Sequence, residues 1–255
     1  MSTAGDTEEP QVPLRTQKRE AGKICKAIKL GVVGDGTVGK TTMLMAYTLH
    51  AFLDEYTPTV FDNFSVIEEV DDRLVNIILW DTAGQEDYKQ LRTSTYQKTD
   101  IFMLCFSVVH PSSFENLRWW MIELKKHCPN TPLVLCGTKI DLRDDPETIA
   151  NLEATGQKMI TKKAGTKKAK ECKARAYLEC SAKDVDSVTQ VFQQAVKVVM
   201  DKDKKMWADV HKKAKKEEKA EAKKIAKIEA RMKKMQKATS KNEVADVDEL
   251  LPDEE

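Results

Sequence analysis

Apolar residues recur along this chain in runs of strand length and in helical spacing. Leu30, Val32 and Val33 form a short apolar strand that ends at Gly34, and an apolar helical run starts at Met43. Ile101 to Val108 and Leu133 to Gly137 are continuous apolar runs, the pattern of strands buried on both faces. Phe64 to Val70 and Leu74 to Trp80 are two further strands, and Asp71-Asp72 between them predicts a hairpin turn. Helices are expected over Lys40 to Thr48, from Ser112 to about His127, over Pro146 to Thr155, over Thr166 to Arg175 and from Ser187 onward. The Ser112-Ser113-Phe114-Glu115 stretch has the form of a capped helix start. A last short strand is expected over Tyr177 to Cys180. Strands alternating with helices predict an α/β fold, a doubly wound and mostly parallel six-stranded sheet with one antiparallel edge strand from the hairpin.

Charge divides the chain further. Formal net charge is +1 over 255 residues, with 33% of residues charged. From Asp201 to Lys241 there are 16 Lys/Arg against 7 Asp/Glu, and from Asn242 to Glu255 there are 7 acids and no base. The expected organisation is a polar N-terminal extension over 1–26 without stable structure, a nearly neutral body over 27–200, a basic helical extension over 201–241 and an acidic, unstructured end over 242–255. Fully helical, the stretch from Asp201 to Ala238 would be about 57 Å long at ~1.5 Å per residue. Ile225, Ile228, Met232 and Met235 are spaced as one apolar seam. A solvated helix and a partner-binding helix both fit it. The six cysteines form no C-x-x-C pair and are expected to be reduced thiols in a cytoplasmic protein. No run of eighteen apolar residues predicts a membrane span, and peripheral contact with anionic lipid would be weak. No interleaved aromatic residues support nucleic-acid binding by the basic stretch.

The chemistry concentrates at predicted strand ends, where open α/β sheets bind ligands. Gly34-Asp35-Gly36-Thr37-Val38-Gly39-Lys40-Thr41 matches the phosphate-loop pattern G-x-x-x-x-G-K-[ST], followed by Thr42 and a helix. Glycines let successive amides face an anion, and the helix start adds its own free amides. Lys40 can reach the β- and γ-phosphates, and the Thr41 hydroxyl can ligate Mg²⁺. Asp81 in Asp81-Thr82-Ala83-Gly84-Gln85 can hold Mg²⁺ through a water, the Gly84 amide can approach a γ-phosphate, and Gln85 can orient an attacking water. Thr59 can offer a hydroxyl to the metal and its amide to the phosphate, ordering its loop with triphosphate. Asp141 in Gly137-Thr138-Lys139-Ile140-Asp141 can accept from N1–H and the N2 amine of guanine, donors that adenine lacks. The Lys139 stem can cover the base, the Ala182 amide can meet its O6, and Ser181 can brace Asp141. Each stretch alone would also fit an ordinary polar turn.

Gly34 to Thr42, Tyr56 to Phe64, Trp80 to Arg92, Gly137 to Asp144 and Glu179 to Lys183 together resemble a Ras-superfamily small GTPase. Thr59 to Phe64, Gln85-Glu86-Asp87-Tyr88 and Cys128-Pro129-Asn130-Thr131-Pro132 resemble the Rho family, closest to Rac/Cdc42-like members. Thr138, where most Ras relatives have Asn, is a Rho trait, and Pro146 to Thr155 resembles the Rho insert helix. The resemblance covers about Ile28 to Met200. It implies a P-loop NTPase G domain that binds GTP or GDP with Mg²⁺, hydrolyses GTP slowly and signals to the cytoskeleton. Exchange factors, GTPase-activating proteins, dissociation inhibitors and effectors are the implied partners.

The implied catalytic set is Gln85, Lys40 and Thr59. The implied metal set is Thr41, Thr59 and Asp81. Nucleotide contacts fall to Gly36, Val38, Gly39, Lys40, Thr41, Thr42, Phe52, Tyr56, Thr59, Gly84, Thr138, Lys139, Asp141, Ser181, Ala182 and Lys183. Phe52 would pack edge-on against guanine and Tyr56 would close over the phosphates. Gly36 keeps the family's glycine, where a Cβ is expected to crowd Gln85 and an inserted arginine finger, worth roughly 10³–10⁵ in rate in Ras-type enzymes. The sequence departs from the family at Leu251-Pro252-Asp253-Glu254-Glu255, where a prenylation box is usual, so attachment through a prenyl group is not expected. A nucleotide-gated adaptor acting through the C-terminal helix is the alternative reading. An ATP-using enzyme is disfavoured by Asp141.

Overall fold

The computed structural model describes residues 26–53, 61–202, 204 and 212–228. The body is a sheet in the order β2-β3-β1-β4-β5-β6, flanked by helices. β1 (Lys26–Gly34) runs parallel to both β3 (Arg73–Thr82) and β4 (Ile101–Ser107). β5 (Leu133–Thr138) and β6 (Tyr177–Glu179) extend the parallel side. β2 (Phe61–Val70) pairs antiparallel with β3 and forms the edge. The mixed sheet is therefore the α/β fold expected.

The continuous apolar runs behave as predicted, because every residue of β4 and β5 is buried. The hairpin turn falls on Asp71 and Asp72 at φ 49° and 59°, two successive left-handed residues that match the twist of the strands they join. α1 (Lys40–Leu49) covers one face together with α7 (Val185–Lys202). Val188, Val191, Phe192, Ala195, Val196 and Val199 repeat at three- and four-residue spacing along α7 and are all buried. Tyr47 of α1 stacks on Phe192 with ring centroids 4.2 Å apart.

Several boundaries shift from expectation. β2 begins at Phe61 rather than Phe64, since pairing to β3 extends it to Thr82. The helix expected from Ser112 is two: α3 (Pro111–Glu115) and α4 (Leu117–His127), joined at Asn116. It starts at Pro111, whose missing N–H costs nothing at a first helical position. The Ser113 hydroxyl lies 2.6 Å from the His110 carbonyl and accepts from the Ser107 amide. α2 (Lys89–Ser94) is a short helix after β3, and α5 (Pro146–Ala154) fills the predicted insertion, capped by Asp145. α6 (Lys162–Glu171) starts four residues before the expected Thr166, because the Thr161 hydroxyl accepts from the Ala164 amide and caps it there.

Residues 212–228 are helical, and all but residue 214 are exposed, including Ile225 and Ile228. Residues 1–25 of the expected extension, Met232, Met235 and the acidic end lie outside the described residues, and Lys26 already belongs to β1. Cys105, Cys128, Cys136, Cys172 and Cys180 are free. Among the described residues no helix is long and apolar enough to cross a membrane.

Candidate functional site

β1 ends in a loop whose backbone is unusual at three places. Gly34 has φ 142°, and a Cβ there would lie 2.2 Å from the Cys105 carbonyl oxygen; Gly39 has φ 94°. Thr37 is held at φ 61°, a conformation that costs a β-branched residue roughly 1–2 kcal/mol. Gly39 is the N-cap of α1 and offers no side chain, and the first turn of α1 holds no acid. The first amides of α1 and the positive end of its dipole are thus directed at whatever the loop encloses, an arrangement suited to phosphate.

Lys40 is 6% exposed, and its Nζ donates to the Gly34 and Asp35 carbonyls at 2.8 Å each. Burial lowers its pKa, opposed by the nearby Asp81 carboxylate. The Thr41 hydroxyl donates to the Asp81 carboxylate at 2.5 Å. A hydroxyl and a carboxylate converging beside a phosphate loop are hard oxygen donors of the kind Mg²⁺ prefers, completed by phosphate and water. The residues present therefore fit that ion. Among the described residues no cluster of three His, Cys, Asp or Glu could hold a metal alone.

The segment after β3 lies against the loop. A Cβ on Gly84 would come within 2.3 Å of main-chain atoms of Asp35 and Gly36, so only glycine permits this approach. Thr82 to Gln85 and Gly36 to Thr42 enclose about 30 Å³ between them. The Gln85 side chain is exposed at this edge, and its carbonyl accepts from Arg92 Nη1 at 2.9 Å. A Cβ on Gly36 would meet nothing within 4 Å, which corrects the expected crowding of Gln85: in this arrangement Gly36 faces open space.

Beyond Gly39 opens a larger cavity of about 390 Å³, within the usual range for a small-molecule site. Thr42, Met43, Phe52, Lys139, Asp141, Ser181, Ala182 and Lys183 are among the residues that line it. The Lys139 stem passes 3.7 Å from where a Gly39 Cβ would stand, and burial lowers its pKa. Lys183 Nζ lies 3.6 Å from Asp141 and 5.8 Å above the Phe52 ring. Thr138 is buried, its hydroxyl 2.6 Å from the Val38 carbonyl and 3.0 Å from that of Phe106, so it ties the phosphate loop to β4. Ser181 does not brace Asp141. Its hydroxyl accepts from the Lys183 amide at 3.1 Å and shapes the turn that carries Ala182.

The structure thus brings together Gly36, Val38, Gly39, Lys40, Thr41, Thr42, Asp81, Gly84 and Gln85 around the phosphate loop. Phe52, Thr138, Lys139, Asp141, Ser181, Ala182 and Lys183 gather around the adjoining cavity. Tyr56 and Thr59 lie outside the described residues.

A buried ionic group had not been anticipated. Arg92 is 3% exposed and donates through Nε and Nη2 to both oxygens of Glu123 at 2.9 Å. Its Nη1 also reaches the Ala83 carbonyl at 3.0 Å, and the Tyr96 hydroxyl donates to Glu123 at 2.7 Å. Burial alone would push the Glu123 carboxyl up, but the bonds from Arg92 and Tyr96 hold it below the usual carboxylate range. A signal was present in α4: Glu123 falls three residues after Trp120 and beside Leu124, on the face that must be buried.

Comparison with known families agrees with this geometry. The sequence model of the Ras family matches residues 29–201, well over half of the chain. With a phosphate loop, a carboxylate-bearing strand end and an adjoining cavity at the carboxyl ends of the strands, the protein belongs to the Ras family of small GTPases, guanine-nucleotide switches that bind and hydrolyse GTP.

Proposed function

We propose that this chain is a Rho-like member of the family, a switch that signals to the cytoskeleton from the cytoplasm. The observation that carries the site assignment is the joining of two features: the phosphate loop and Asp141 line one cavity. The β- and γ-phosphates lie against the amides of Gly36 to Thr42, and the guanine sits between Phe52 and Lys139. Asp141 accepts from N1–H and the N2 amine, and the Ala182 amide donates to O6. The Rho reading rests on the sequence motifs, including Thr138 and the insertion that forms α5.

Lys40 exchanges its two carbonyl acceptors for phosphate oxygens and stabilises charge as the bond to the γ-phosphorus breaks. Gln85 orients a water for in-line attack, its main chain held by Arg92. Thr41, Asp81 and Thr59 would hold Mg²⁺, which when bound would supply positive charge against the β- and γ-phosphates. Exchange factors, GTPase-activating proteins and dissociation inhibitors regulate the switch, and effectors read the loops around Thr59 and Gln85. The chain is organised as an extension over 1–26, a G domain over 27–200, a basic helix over 201–241 and an acidic end over 242–255. Membrane contact is at most peripheral. The helix over residues 212–228 supports a second use, as a docking arm for a partner, because Ile225 and Ile228 are exposed on it.

Purified protein should retain GDP or GTP and bind either with magnesium-dependent affinity, and excess ATP should not compete. Gln85→Leu should slow single-turnover hydrolysis while leaving GDP affinity in place. ATP competing equally with GTP would overturn the base assignment, and Gln85→Leu turning over at the wild-type rate would overturn the catalytic one.

A further inference from the structure

The phosphate loop carries a carboxylate, Asp35, whose two oxygens are both taken by α4 and the residue before it. Trp120 Nε1 donates to Oδ1 at 2.6 Å, and Asn116 Nδ2 donates to Oδ2 at 2.7 Å. The same indole carries the Arg92 guanidinium 4.5 Å from its ring centroid, and Arg92 in turn holds the carbonyls of Ala83 and Gln85. Gly84, between those two, packs directly on the Asp35 and Gly36 main chain. The contacts close a ring: Asp35 to Trp120, Trp120 to Arg92, Arg92 to Ala83 and Gln85, and Gly84 back to Asp35. Trp120 is its central member and is 6% exposed.

A loop with Thr37 in a left-handed conformation and Lys40 spanning it holds its shape only where the surroundings over-determine it. Thr138 secures the far side of that loop at Val38. On the near side the anchor is Asp35, and the bonds to it are hydrogen bonds to a charged acceptor, the strong kind. We propose that Trp120 is a positioning residue: by holding Asp35 it sets the shape of the phosphate loop and so the rate at which nucleotide leaves. Asn116 is the second, weaker holder. Neither side chain lines either cavity of the site. Both act through Asp35, whose carbonyl also receives Lys40.

This inference rests on the guanine-nucleotide reading above, and the experiment separates the two. The full chain is loaded with a fluorescent GDP analogue in excess Mg²⁺, and release is followed after adding unlabelled GDP. Trp120→Phe keeps one aromatic ring and removes the N–H donor together with the second ring of the indole, and the comparison with Asp35→Ala isolates the share that passes through the donor. Trp120→Phe should release about tenfold faster, the lower end of what losing a hydrogen bond to a charged group costs. Asp35→Ala should show the same acceleration, and Asp35→Ala/Trp120→Phe should release no faster than about threefold above either single variant. Asn116→Ala, which removes one half-buried donor, should accelerate release less and also add little to Asp35→Ala. A merely structural Trp120 would lower the melting temperature without this non-additivity. A change under threefold in Trp120→Phe, or multiplicative effects in the double variant, overturns the inference. Wild-type protein that takes up no GDP would instead overturn the nucleotide reading.

Discussion

Replacing Glu123 by Gln is the sharpest test of the buried ionic group. The substitution keeps size and one acceptor but removes the charge that neutralises Arg92, which is 3% exposed. Breaking a buried pair costs roughly 3–5 kcal/mol, because the remaining charge stays buried without its partner. Arg92 keeps the Ala83 and Gln85 carbonyls, so the lower end, about 3 kcal/mol, applies. For a domain of this size that corresponds to a fall in melting temperature of about 6–12 °C. Calorimetry at fixed, saturating GDP and Mg²⁺ measures it, since bound nucleotide raises apparent stability. The double replacement Arg92→Met/Glu123→Leu should lose less than Glu123→Gln, because an apolar pair leaves no unpaired charge. The pH dependence has a definite sign. The Glu123 carboxyl is held below its unfolded value, so its contribution is present above about pH 4.3 and disappears as pH falls through the lower folded value. The gap between wild type and Glu123→Gln should close in acid. A melting temperature within 2 °C of wild type, or a double variant worse than the single, would refute the reasoning.

Three further outcomes follow from the same geometry. Gly84→Ala places a methyl about 2.3 Å from the main chain of Asp35 and Gly36, so the two segments must part. Single-turnover GTP hydrolysis should fall about a hundredfold, and an unchanged rate would show that the approach is unimportant. Thr138→Val removes the hydroxyl beside Val38 and Phe106 while keeping the shape. It should cost about 1–3 kcal/mol in thermal unfolding, and unaltered melting would deny the tie between loop and β4. Asp141→Ala should abolish the preference for guanosine over inosine diphosphate in competition binding, because inosine lacks the N2 amine. Retained preference would place the base elsewhere.

Much of the fold was legible because its causes are local. Continuous apolar runs marked β4 and β5, and Asp71-Asp72 marked a turn whose backbone needs residues that tolerate positive φ. The two tryptophans also behaved as helical geometry requires: Trp120 is buried and Trp119 is 57% exposed, one step around α4. Boundaries were less legible. The early start of α6 depends on a side-chain bond that competes with propensity, at Thr161. A brace from Ser181 to Asp141 joins two separate motifs and depends on how their loops pack; in the fold the Ser181 oxygen instead accepts from an amide two residues away.

The sequence by itself determined the phosphate loop, the order of strands and helices and the residues gathered at the carboxyl ends of the strands. These follow from spacing and from conformations that only certain residues adopt. Only the tertiary structure decided what holds that loop in place. Trp120 reaches Asp35 across 85 positions of chain, and Thr138 reaches Val38 across 100. Arg92 and Glu123 meet in a core where each would be costly alone. Such pairings depend on which helix packs over which strand end, and hydrophobic patterning records that a face is buried, not what it is buried against.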